Sequence, residues 1–128
     1  MKNLYWLSRL KQDFDAAGSD SDSLYELIEA AVSRGKISFP ALLHDASKGL
    51  GVTVGEGFFY SLDQDWDEPE LFDNVSFFLG GVEISSMAIP RFVFLMRVAG
   101  NVYSDCFPSE RDKICSSLDR LEKRYLGG

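Results

Sequence analysis

A chain of 128 residues with 45% hydrophobic content is the size and composition of one packed domain, 1–128, and ten Phe, five Tyr and two Trp supply bulky core material. Thirteen Lys and Arg against twenty Asp and Glu leave a net charge of −7, which repels a phosphate backbone and disfavours direct nucleic-acid binding. Two cysteines and one histidine exclude a disulfide framework and a Cys/His zinc set, and leave few ways to assemble a base, a nucleophile and an orienting partner.

The first segment reads as a helix, because Leu4, Leu7, Leu10 and Phe14 recur at three- and four-residue spacing and Gly18 with the following Ser-Asp-Ser-Asp supplies a stop. Arg9 interrupts that segment before any apolar stretch long enough for a signal-peptide core. The longest charge-free run, Asn74 to Val82, is half a membrane span, so the chain is expected to stay in the cytoplasm with free thiols and without membrane contact. Ser23 to Glu26 has the form of a capping box, and Leu24, Leu27, Ile28, Ala31 and Val32 make one apolar stripe that ends at Gly35. A short helix is expected after Pro40, carrying Leu42, Leu43 and Ala46, with Gly49 as its stop. His44 falls on it and reads as a partly buried structural residue, since neither a second ligand nor a nucleophile lies nearby in sequence.

From Gly57 the period changes. Phe58, Phe59, Tyr60 and Leu62 form an aromatic strand, and after a polar loop Val75, Phe77 and Leu79 alternate with Ser76 and Phe78. Gly80-Gly81 predicts a two-residue hairpin turn, because both central positions of a type I′ turn need positive φ, and Val82, Ile84 and Ser86 return. Val75, Phe77 and Leu79 are expected on the core side, with Phe78 opposite. Helical period resumes after Pro90 with Phe92, Leu95, Met96, Ala99 and Tyr103, is punctuated at Phe107-Pro108-Ser109, and restarts with Ile114, Leu118, Leu121 and Tyr125. The expected fold is α+β: a small, mainly antiparallel sheet with a central hairpin, packed by N-terminal and C-terminal helices.

Charge divides this order into three parts. Residues 1–48 hold six bases and seven acids, and residues 90–128 hold seven and five. Residues 49–89 hold no Lys or Arg against eight acids. The loop from Asp63 to Asp73 concentrates them, and its Asp63, Asp65, Trp66, Asp67, Glu68, Glu70 and Asp73 are the candidate partner-binding residues: carboxylates for Lys or Arg, with Trp66 as an aromatic anchor. The first three Asp fit an EF-hand start, but Glu68 stands where Gly is needed and Asn74 where the bidentate Glu belongs, so no metal, cofactor or catalytic residue is assigned. Gly51, Gly55 and Gly57 match no phosphate-loop pattern and lie in a segment without bases. Cys106 and Cys115 read as buried small residues, and Arg120, Lys123 and Arg124 as compensation for the last helix dipole.

The order of elements from residue 57 to 125 resembles the immunity proteins of bacterial contact-dependent growth inhibition systems, in particular the group directed against ribonuclease toxins. Phe72-Asp-Asn-Val75 enters a strand, Val82-Glu-Ile-Ser85 returns, a long helix runs through Phe92 and Leu95 to Tyr103, and a final helix after Pro108 closes with Leu118-x-x-Leu121. The resemblance implies a cytoplasmic protein without enzymatic activity that binds a cognate basic nuclease domain one to one and is a monomer or weak dimer when free. It carries no fixed binding residues; the acidic loop is chosen on charge. A small acidic hydrolase or calcium-binding module using the Asp63–Asp73 loop is the second reading, and a structural adaptor without a toxin partner the third.

Overall fold

The computed structural model describes residues 2–55 and 57–127, with side chains except at 2–4 and 19. Among the described residues five helices and a four-stranded antiparallel sheet form the expected α+β fold. Helix α1 spans Lys2–Ala17 and buries Trp6, Leu7, Leu10 and Phe14, whereas the side chain of Leu4 lies outside the described residues. Helix α2, Asp22–Ser33, buries Leu24, Leu27, Ile28 and Ala31. It starts two residues too early for the expected capping box, with Ser21 rather than Ser23 at the N-cap position. Ser21 precedes it and ties it to α1, its hydroxyl donating to the carbonyls of Phe14 and Gly18, while Ser23 shares a hydrogen bond of 2.6 Å with Ser85. Helix α3, Phe39–Ser47, is capped by Ser38, whose hydroxyl accepts from the Ala41 amide, and carries Pro40 in its first turn, where a missing amide is harmless.

The strands β1 (Thr53–Val54), β2 (Phe58–Ser61), β3 (Asn74–Leu79) and β4 (Val82–Ala88) lie in chain order across the sheet. Gly80 and Gly81 take φ of +61° and +83°, as a type I′ turn requires. Phe77 and Val75 are fully buried, and Phe77 stacks on its cross-strand neighbour Tyr60, which in turn packs against Phe92. Phe92 belongs to helix α4, Ile89–Cys106, so this face of the sheet is the one turned toward the helices. Phe78 lies on the opposite face, as alternation demands.

Leu79 departs from expectation: it is 48% exposed. Alternation places it on the Phe77 side, but it directly precedes the turn and pairs with Val82, itself exposed, at a hairpin tip that extends past the helical layer. A bulge beside this tip pairs Phe77 with Ser85 but Phe78 with Glu83, leaving Ile84 as the extra residue of β4.

Helix α5, Arg111–Tyr125, packs on α3 and α4 through Ile114, Leu118 and Leu121. Trp6, Phe39 and Tyr103 join α1, α3 and α4 in one aromatic cluster, with ring centroids 5.0 to 5.3 Å apart. Tyr60 is buried with no hydrogen-bond partner for its hydroxyl among the described residues, and burial pushes its pKa up. An unpaired buried hydroxyl opposes folding, so Tyr60→Phe is expected to be neutral or to stabilise by up to about 1 kcal/mol in urea unfolding. A loss of about 2 kcal/mol would mean that the hydroxyl has a partner.

Candidate functional site

The acidic loop connects β2 to β3 through two single 3-10 turns, Asp63–Asp65 and Pro69–Leu71. Its first two carboxylates serve the chain itself. One oxygen of Asp65 accepts from the Leu62 amide at 2.8 Å and from the Gly51 amide at 2.7 Å, so it closes the turn and binds it to the segment entering β1. Asp63 accepts from the Tyr125 hydroxyl and from Arg124 Nη2, both at 2.6 Å, and from Gln64 Nε2 at 3.0 Å. Burial alone would raise the Asp63 carboxyl; the hydrogen bonds from Arg124, Tyr125 and Gln64 outweigh it and hold the carboxyl down at about 2. The Tyr125 hydroxyl is pushed up by burial and by that same carboxylate. Arg124 therefore does more than compensate the α5 dipole: it clamps the end of α5 to the loop.

Trp66 is half-buried. Its indole N–H donates to Ser61 at 3.3 Å, and its ring stands edge-on to Phe72, whose ring lies 5.8 Å from that of Tyr125. Ser61 and Ser76 pair across β2 and β3 on the face opposite Tyr60 and Phe77, and both are buried, so Trp66 folds the loop back over that outer face. The other candidates point outward. Asp67, Glu68, Glu70 and Asp73 are exposed, and among the described residues none of them has a basic partner. Leu71, in their midst, is 58% exposed. In the sequence this exposed leucine is flanked by the four carboxylates, a pattern that could have marked it beside Trp66.

These positions leave the loop little chemistry as a metal centre or a carboxylate pair. Asp63 and Asp65 already accept from their own chain, and among the described residues no three His, Cys, Asp or Glu side chains converge to hold an ion. His44 is exposed rather than partly buried: it lines a groove of about 650 Å³ between α3 and α5, where Arg120 approaches its Nδ1 at 3.4 Å. The two thiols are free, but neither is fully buried: Cys115 is exposed, and Cys106, the last residue of α4, is half-buried against the core.

The fold converts the charge pattern of the chain into a charged layer. All thirteen Lys and Arg fall outside residues 49–89, and the four strands and the acidic loop fall inside. The sheet layer thus contains acids and no bases, while the helical layer and its connections carry every cation. Among the described residues no helix is long and apolar enough to cross a membrane. Comparison with known proteins returned no matching family model, no matching curated protein and no matching solved structure.

Proposed function

We propose that this chain is an immunity protein that binds and neutralises the nuclease domain, a ribonuclease, of a contact-dependent growth inhibition toxin. The reading starts from the resemblance over residues 57–125. The observation that carries it is the base-free sheet layer with its four outward, unpaired carboxylates, Asp67, Glu68, Glu70 and Asp73. A nuclease that grips RNA must present cations along the path of the phosphates, and an inhibitor gains both attraction and steering by presenting carboxylates to them.

Within this reading the seven loop candidates divide by role. Asp63, Asp65 and Trp66 hold the loop in shape from within, so that it meets its partner preorganised, and the last four acids with Leu71 form the contact. The proposal assigns the chain no catalytic chemistry, no cofactor and a cytoplasmic site of action, with one chain bound per toxin domain.

The proposal expects an adjacent reading frame that encodes a toxin domain, and the test is co-expression with that domain. Cells making both proteins are expected to grow as uninduced cells do, and cells making the domain alone to arrest and lose intact RNA. Arrest in both cultures, with the chain soluble and folded, would contradict the proposal.

A further inference from the structure

Sheet β2–β3–β4 has a second face that the helices do not cover. Phe59 and Phe78 are cross-strand partners on it, stacked at 4.8 Å with their planes 12° apart, and both are half-buried rather than enclosed. Beside them the bulged Ile84 is 46% exposed and Glu83, the partner of Phe78 in register, is exposed too. Exposed apolar surface gathers in this layer as a whole. Among the described residues, five of the eight large hydrophobic residues that are exposed (Leu50, Leu71, Leu79, Val82 and Ile84) lie within residues 49–89. That segment is a third of the chain, and it is the one without a base.

Resting on the function proposed above, we infer that the outer sheet face, centred on Phe59 and Phe78, is the apolar core of the interface with the basic nuclease domain. The acidic loop then acts as its charged rim. The two features adjoin, because Trp66 seats the loop on Ser61, the residue two along β2 from Phe59 and on the same face. Interfaces place aromatic residues at a dry centre and charge at the periphery, and a stacked Phe pair is suited to the centre because it is already ordered. Charge decides the occupant. A second copy of this chain would set one base-free acidic face against another, and like charges in juxtaposition disfavour that pairing. A partner with a cationic rim around an apolar patch meets both features at once.

Glu83→Lys places a cation on this face, opposite Phe78 in register, without removing a buried group. It is expected to weaken binding of the adjacent-frame toxin domain at least tenfold, mainly through faster dissociation. Phe78→Ser is expected to do the same with retained secondary structure by circular dichroism. Tyr5→Lys, on the exposed side of α1, serves as the control and is expected to stay within twofold of the parent. If the parent binds the domain and both face variants bind it equally well, the face is not the interface, although the functional proposal survives. If the parent itself neither binds nor protects, the functional proposal fails first. Self-association of the free chain that Phe78→Ser abolishes would assign the face to a second copy and overturn the inference.

Discussion

Gly51→Ala is expected to cost the domain about 3 kcal/mol or to prevent folding, the largest effect of any single methyl group added to this chain. A Cβ at residue 51 would sit 1.9 Å from the carbonyl oxygen of Tyr60 and 2.9 Å from Asp65 Oδ2. Neither neighbour can retreat. Tyr60 is locked in β2 with its ring in the core and its amide bonded to the Val52 carbonyl, and Asp65 is held by the Gly51 and Leu62 amides. The requirement is for space rather than for backbone freedom, because Gly51 is not among the residues with positive φ. Gly80→Ala offers the contrast: open space surrounds that position, and the strain comes only from its φ of +61°. Urea unfolding of both variants separates the two causes, with Gly80→Ala losing about 1 kcal/mol. A Gly51→Ala protein as stable as the parent would show that the β1 entry is not packed against Tyr60 in this way.

Asp63→Ala is expected to cost about 2 kcal/mol, because it leaves the half-buried Tyr125 hydroxyl and the Arg124 guanidinium without their acceptor. The pH dependence has a definite sign. The carboxyl sits at about 2 in the folded chain against an ordinary 3.8, so the folded state holds the charged form more strongly than the unfolded chain does. That stabilisation is complete above pH 4 or so and is lost as the pH falls toward about 2. With the side chain 15% exposed and solvent screening allowed for, it amounts to about 1–2 kcal/mol. The parent should therefore lose more stability between these limits than Asp63→Asn does. Parallel curves for the two proteins would mean that the Asp63 clamp contributes nothing.

Much of this fold is written in local patterns. The stripes of α2, α4 and α5, the alternation of β3 and the Gly80-Gly81 turn all depend on residues a few positions apart, and each formed where periodicity placed it. The departures depend on parts of the chain that are distant in sequence. Ser23 leaves its expected capping role and bonds to Ser85, 62 positions on. Leu79 is exposed because the helical layer ends before the hairpin does, a fact of packing that no strand pattern contains. The acidic loop was visible in composition, but its division into inward and outward carboxylates was not: Asp63 is claimed by Arg124 and Tyr125, more than 60 residues later, and Asp65 by Gly51. The stacked Phe59–Phe78 pair was equally hidden, since two half-apolar strands became one apolar face only when their register was fixed.

The central claim is that a base-free acidic surface engages a cationic nuclease. Its most direct test is the salt dependence of association between the purified chain and the adjacent-frame toxin domain. The parent should associate at a rate that falls steeply with ionic strength. The variant Asp67→Asn, Glu68→Gln, Glu70→Gln and Asp73→Asn, with its Asp63 and Asp65 intact, should associate about tenfold more slowly at low salt and with a much flatter slope. Dissociation should change far less, because rim charges act mainly on encounter. Equal rates and equal slopes for parent and variant would contradict the account.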